Sequence, residues 1–337
     1  MTLEQRKNVL VELGNRLQNL KSDQLEALSL QAVNQNNWFT PISVAKAIEA
    51  WANSLSEEKI NQWTKNYNLS PSQAQEVGLI LAGNIPMVGL HDLLSVLVSG
   101  HIAAVKLSSQ DSALIQFIIS ELKNISPELG AQIKLVEQLK EAHAVIATGS
   151  DNTARYFKHY FGKKPNIIRQ NRTSIGVIKG DESREDFADL GKDIFTYYGL
   201  GCRNVSKVFV PKGFDLTQLI DGLMSFESVI DHHKFRNNYD YNKSIYLVNN
   251  EPHLDSGFFL MRETEDLVSP ISVLFYEFYD SEAQLSLKLS TIADKTQCIV
   301  SKDSWYPNSL NFGEAQSPEL WDYADGVDTL EFLNELS

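Results

Sequence analysis

The sequence predicts an α/β protein built as two doubly wound lobes with mostly parallel sheets, and three observations carry that reading. Short apolar runs of strand length alternate with amphipathic helical stretches from Gly78 to Phe161, the order that lays crossover helices over a parallel sheet. A second alternating series follows Arg169. The chain has 337 residues, more than one hydrophobic core usually organises. The expected division is residues 1–173 for N-terminal helices and a first lobe, 174–300 for a second lobe, and 301–337 for a segment that packs back between the lobes.

Up to about Tyr67, Leu, Ile and Trp recur at helical spacing, and Leu10, Leu13 and Leu17 share one helix face. Gly78–Gly83 reads as a strand, Pro86–Gly100 as a helix opening on proline and closing on glycine, and His101–Ser108 as a strand. Ser112–Lys123 is an amphipathic helix, "IKLVE" and "HAVIATG" are strands, and a helix runs from about Asn152 to Phe161. Val77 to Val105 is apolar enough to suggest a membrane span. Gly83-Asn84, Pro86, His91-Asp92 and His101 break it too often for one. Beyond Arg169, "SIGVIKG", "SKVFVPKG", "KSIYLVNN" and "SVLFYEFYD" read as strands, with helices near Asp186–Tyr198, Leu216–Ile230 and Ser281–Lys288.

The net charge of −13 repels phosphate backbones and anionic lipid, so neither nucleic acid nor a membrane surface is an expected partner. An anionic cofactor is still admissible, because a helix N-terminus binds phosphate locally. The two cysteines, Cys202 and Cys298, make no disulfide framework or zinc cluster. With no signal-peptide core at the N-terminus, a reducing cytoplasm is the expected compartment.

Cys202 stands in "YYGLGCRNVSKVFVP", with Gly199 and Gly201 before it and a strand after it. Free cysteines are mostly buried and inert. A thiolate on an open backbone between a helix and a strand can instead attack a carbonyl carbon, its own N–H helping to bind the oxyanion. Arg203 and Lys207 are close enough in sequence to favour the thiolate. Asn84, in "AGNIP", follows a strand end, where its amide could donate to an oxyanion or simply make a turn. Lys106 ends a strand, as a contact for ribose or phosphate or as a solvated strand end. In "ATGS", Gly149 and Ser150 lead into a helix whose amides suit a pyrophosphate, with Ser150 as N-cap. No GxGxxG lies on a strand–helix turn. "DHHK", Asp231 to Lys234, reads as a polar substrate-side loop rather than a metal site, since adjacent histidines point apart and no third ligand is suitably spaced. Phe226, Phe235, Tyr239 and Tyr241 could wall an apolar substrate or serve as packing. Cys298 reads as a strand-core cysteine.

Taken in order, Asn84-x-Pro86, "GHIAAVKLSS", "ATGS", "GLGC" and "DLVSP" resemble the aldehyde dehydrogenase superfamily, over about Leu79 to Tyr279. The resemblance implies an aldehyde dehydrogenase-like fold, with a cofactor lobe followed by a catalytic lobe. It implies Cys202 as nucleophile, Asn84 as oxyanion donor, Lys106 at the adenosine ribose and Ser150 at the pyrophosphate. Asp266 stands where the family's Glu holds the nicotinamide ribose.

Two departures redirect the chemistry. Where hydrolytic members carry a glutamate base, this chain has Arg169, Gln170, Asn171 and Arg172, so water lacks its activator. Coenzyme A then becomes the expected acyl carrier, and the chain resembles the acyl-CoA reductase family, which includes the fatty acid reductase of bacterial bioluminescence. The expected activity is reduction of an acyl-CoA, fatty acyl in class, to the aldehyde through a Cys202 thioester. Past Lys106 and Ser108, Ser109 replaces the carboxylate of NAD-preferring relatives, which removes repulsion of a 2′-phosphate and favours NADPH while leaving NADH usable. Between Ser70 and Gly78 there is no room for the family's oligomerisation arm, which argues against its usual tetramer and leaves a homodimer open. Competing readings are an acyl-transfer subunit of a larger fatty-acid-reducing complex and a relative that binds acyl-CoA or nucleotide without chemistry. Binding of reduced cofactor separates the first of these from the reductase.

Overall fold

In the first unit, helices α1 (Leu3–Gln18), α2 (Ser22–Gln35), α3 (Pro41–Ser54) and α4 (Glu57–Thr64) lead to a parallel sheet. The computed structural model describes residues 1–149 and 151–336, and the chain divides into two units, Met1–Asn171 with Glu319–Ser337, and Arg172–Pro318. Thr2 opens α1 with a reciprocal capping box to Gln5, and Leu10, Leu13 and Leu17 are buried on its inner face as their spacing requires.

The sheet comprises β1 (Glu76–Ile80), β2 (Ile102–Lys106), β3 (Ile133–Leu135), β4 (Ala144–Thr148) and β5 (Asn166–Arg169), in the spatial order β3-β2-β1-β4-β5. Crossovers run through α5 (Leu90–Ser99), α6 (Ser112–Ile125) with the short α7 (Pro127–Gly130), and α8 (Asp151–Phe161). Val77, Leu79, Ala103 and Val105 lie almost wholly buried beneath these helices, the two-sided burial expected of a parallel sheet. The expected helix start at Pro86 is a turn instead: α5 begins at Leu90, because Met87 takes a left-handed conformation (φ 58°) and its N–H is held by a side chain outside the helix.

The second unit holds a seven-stranded sheet in the order β12-β11-β6-β7-β10-β9-β8. Along the chain run β6 (Thr173–Val177), α9 (Arg184–Phe195), β7 (Val205–Pro211), α10 (Leu216–Leu223), α11 (His233–Val248), β8 (Leu254–Asp255), β9 (Leu260–Glu263), β10 (Val273–Tyr279), α12 (Glu282–Thr291), β11 (Thr296–Ser301) and β12 (Leu310–Asn311). All pairings are parallel except that of the edge strand β8 with β9. The segment "KSIYLVNN", expected as a strand, lies mainly in α11. Phe235, Tyr239, Asn242 and Tyr246 are buried at helical spacing there, so a face of period 3.6 overrides the local β propensity. The chain ends in the first unit with α13 (Thr329–Asn334), where His101 bonds the Leu333 carbonyl at 2.9 Å. No helix among the described residues is long and apolar enough to cross a membrane.

Arg169, one of the residues occupying the place of the expected glutamate base, is a structural cation. Its Nη1 lies 2.5 Å from Asp92 Oδ2 and its Nη2 donates to Thr329 Oγ1 at 3.0 Å, with both charged side chains buried. Removing one member strands the other, so Asp92→Ala is expected to cost about 3–5 kcal/mol in urea unfolding. The joint replacement Asp92→Leu with Arg169→Met should cost much less.

Candidate active site

The helix α9 must end where the chain turns toward β7, and its last carbonyls need donors there. One side chain supplies them. Asn204, 3% exposed, shares the two N–H groups of Nδ2 among the carbonyls of Asp193 (3.0 Å), Ile194 (3.2 Å) and Thr196 (2.8 Å). Its Oδ1 accepts from Gly201 N–H at 2.8 Å. The turn it closes is strained: Tyr197 and Tyr198 take φ of 52° and 59° ahead of Gly199 at 79°. Glycine adopts this conformation freely, whereas each tyrosine pays about 1 kcal/mol or more for it.

Cys202 sits half-buried in this turn, with the peptide planes on both sides fixed. Asn204 N–H donates to the Gly201 carbonyl at 3.0 Å, and Ser174 Oγ donates to the Cys202 carbonyl at 3.1 Å. In a planar trans peptide the N–H opposes the carbonyl, so the first bond aims the Cys202 N–H and the second aims the peptide that follows. Sequence reasoning missed Asn204 and Ser174. Asn204 carried a signal, an asparagine just after a turn, but Ser174 is brought here only by the pairing of β6 with β7.

The neighbours of this turn differ from expectation at three points. Lys207 is 1% exposed and faces away from any thiolate role: Nζ bonds Glu277 at 2.5 Å and the Thr264 carbonyl at 2.9 Å. Together with Ser206 Oγ, which donates to the Leu267 carbonyl at 3.0 Å, it pins the segment bearing Asp266, whose side chain is exposed. His232 and His233 do not point apart. At the start of α11 their rings stack 5.2 Å apart, and His232 packs on Tyr198 at 4.3 Å. Cys298 lies on β11 but is only half-buried, and its Sγ meets Ser174 Oγ at 3.0 Å. Of the expected aromatic wall, Phe235 lines an apolar pocket with Phe195, Tyr198, Phe259 and Ile271 beside Asn204. Phe226 stacks on Phe195, Tyr239 bonds Asp255, and Tyr241 is exposed.

In the first unit, the remaining candidates gather at the carboxyl ends of the parallel strands. Asn84 follows β1, Lys106 ends β2 with Ser108 and Ser109 beyond it, and Gly149 follows β4. Strand order reverses between β1 and β4, the place where open parallel sheets form a ligand crevice. Lys106 and Ser109 are exposed, whereas Asn84, Ser108 and Gly149 are half-buried. Ser150 lies outside the described residues. The Asn84 turn is clamped from both sides: Asn36 Nδ2 donates to the Gly83 carbonyl at 3.1 Å, and Met87 N–H donates to Asp111 Oδ2 at 2.7 Å. A Cβ at Gly83 would lie 2.4 Å from Ser108 Oγ and 2.9 Å from Ser108 Cβ, so any side chain there would displace Ser108. Asp111 is 2% exposed with Oδ1 unpartnered, and burial pushes its carboxyl up to about 8 against the single Met87 bond.

Two outcomes follow from these clamps. The native state holds the Asp111 proton more tightly than the unfolded chain. Its contribution is therefore fully present below about pH 4 and is lost as pH rises through about 8. Between pH 6 and pH 9, urea stability should fall less in Asp111→Asn than in the natural chain, because the amide still accepts from Met87 and never ionises. At the Cys202 turn, Asn204→Ala should cost about 3 kcal/mol in the same assay, and Asn204→Asp more, because a carboxylate would then face three carbonyl oxygens.

Comparison with solved structures finds the fold repeatedly. An aldehyde dehydrogenase of Mycobacterium tuberculosis complexed with NAD+ superposes with a TM-score of 0.64 at 13% identity, covering 89% of this chain and 73% of that one. Aldehyde dehydrogenase 21 of Physcomitrella patens, in complex with succinate, gives 0.66 at 14% identity over 90% and 74%. An indole-3-acetaldehyde dehydrogenase complexed with NAD+ gives 0.67 at 15% over 94% and 74%. At such identities the likeness is one of fold. Among curated protein sequences none matches this chain. The family model described as acyl-CoA reductase (LuxC) matches residues 14–219. The chain therefore belongs to the acyl-CoA reductase (LuxC) family, an oxidoreductase lineage on the aldehyde dehydrogenase fold.

Proposed function

We propose that this protein reduces an acyl-CoA, fatty acyl in class, to the aldehyde with NADPH through a thioester on Cys202. The observation that carries the reading is the mount of Cys202: a thiol in a turn closed by Asn204, with both flanking peptides fixed. Such a thiol can form a covalent acyl intermediate without moving its oxyanion donors.

In this reading the Cys202 thiolate attacks the thioester carbonyl carbon, and the Asn84 amide and the Cys202 N–H receive the developing oxyanion. Collapse expels coenzyme A as its thiolate and leaves the acyl group on Sγ. The acyl chain rests against the apolar side of the turn, where Phe195, Phe235 and Ile271 line the pocket. Arg169 is committed to Asp92, and Gln170, Asn171 and Arg172 offer no carboxylate that could activate water against the thioester.

A nicotinamide cofactor fits the residues of the first unit. The strand order opens a crevice at β1 and β4. Gly149 lets the turn after β4 pack closely on the helix that follows, where a Cβ would lie 3.0 Å from Thr153. Lys106 and Ser109 would meet the adenosine ribose, with no carboxylate at Ser109 to repel a 2′-phosphate. Asp266 would meet the nicotinamide ribose from its pinned segment. When bound, the reduced cofactor would supply hydride to the acyl carbon that Cys202 holds, with the Cys202 sulfur as the leaving thiolate. The exposed, shortened Asp266 also favours a second reading, a Cys202 acyl-transfer subunit in a larger complex, where reduction is done elsewhere. We place the protein in the cytoplasm, with a homodimer left open and the superfamily's usual tetramer not expected.

The test is intact mass after incubation with a long-chain acyl-CoA, with and without NADPH. One acyl adduct is expected, absent from Cys202→Ala and lost as NADPH absorbance falls. Asn84→Ala should slow adduct formation about 100-fold or more. An adduct that survives NADPH would favour the acyl-transfer reading, and no adduct at any chain length would overturn both.

A further inference from the structure

We propose that Cys298, acting through Ser174, is a positioning residue for Cys202: its protonated thiol donates to Ser174 Oγ, whose hydroxyl donates to the Cys202 carbonyl. The inference rests on the reading of Cys202 as the nucleophile. A serine hydroxyl has one proton, and here it is directed to the Cys202 carbonyl at 3.1 Å. The contact between Ser174 Oγ and Cys298 Sγ at 3.0 Å therefore needs its proton from sulfur. The order of donors is fixed only while Cys298 is neutral.

The surroundings keep it so. Burial, with Asp193 and Cys202 acting in the same direction, pushes the Cys298 thiol up against the Arg203 charge. A bond donated by Ser174 to sulfur would also pull it down, but the Ser174 proton is directed to the Cys202 carbonyl. The backbone is shaped for the contact as well. The register of β11 against β6 shifts between Thr296 and Ile299, and that of β6 against β7 shifts between Ser174 and Ile175. Such irregularities re-aim side chains beside active sites. Here two of them flank the two residues that converge beneath the nucleophile, and Ser174 is wholly buried. Cys298 is thus the last link of a chain that ends on the peptide following Cys202.

The experiment compares Cys298→Ala, Cys298→Ser and Ser174→Ala by two rates: acylation of Cys202 from an acyl-CoA, and alkylation of Cys202 by iodoacetamide, both followed by intact mass. Thermal unfolding confirms that each variant is folded. Cys298→Ala is expected to slow acylation about five-fold, the worth of one ordered hydrogen bond. Cys298→Ser, which keeps a donor, should stay within about two-fold of the natural chain. Ser174→Ala should slow acylation at least as much, and Cys298→Ala added to it should change nothing further, as links of one chain are non-additive. Equal acylation by folded Cys298→Ala and the natural chain overturns the proposal. So does equal slowing by alanine and serine at 298, or additive losses in the double variant. If no acyl-CoA acylates any of these proteins, the functional reading fails. The alkylation rates then decide the positioning role by the same pattern.

Discussion

The turn that carries Cys202 depends on one amide. Asn204 answers three carbonyls at the end of α9 and one N–H at Gly201, so a single side chain stops the helix, holds a strained turn and places Cys202 at the amino end of β7. Without it, two consecutive left-handed tyrosines would relax toward ordinary backbone. Asparagine suits the position because it carries donor and acceptor on one short planar group. Backbone strain persists only where its surroundings over-determine it, and one buried amide in contact with three carbonyls and an N–H does that.

The same economy recurs with buried carboxyls. Asp193 is wholly buried and accepts from Gly313 N–H at 2.7 Å and Ala315 N–H at 3.0 Å, which ties the segment beyond β12 to the helix that leads into the Cys202 turn. Burial lifts it to about 7, against those two backbone bonds. Asp111 plays the matching part under the Asn84 turn with one bond instead of two. Both candidate catalytic loops are thus fastened by acids whose charge is costly where they stand. Neither acid need touch a substrate to matter.

Much of this was legible in the sequence. Strand–helix alternation and a face at Leu10, Leu13 and Leu17 are local patterns, and the parallel sheets follow from them. The order Asn84, Lys106, Gly149, Cys202, Asp266 pointed to the aldehyde dehydrogenase superfamily, and Arg169 to Arg172 in place of a glutamate pointed to the acyl-CoA reductase family now shown over residues 14–219. What escaped was tertiary. Lys207 looked like a cation for the thiolate until its burial against Glu277 was seen, and "KSIYLVNN" looked like a strand because its apolar residues face a core only in helical register. Ser174 and Cys298 gave no signal at all, since only strand pairing brings residues so far apart in the chain to one sulfur contact.

The central claim is that Cys202 holds an acyl group which a reduced nicotinamide then discharges as aldehyde. The most direct measurement is a single turnover of isolated acyl-enzyme with NADPH deuterated at the transferable position. Aldehyde carrying one deuterium at the carbonyl carbon, formed in step with loss of the protein adduct, is the predicted result. Release of unlabelled fatty acid, or an adduct that persists beside unchanged cofactor, would contradict it.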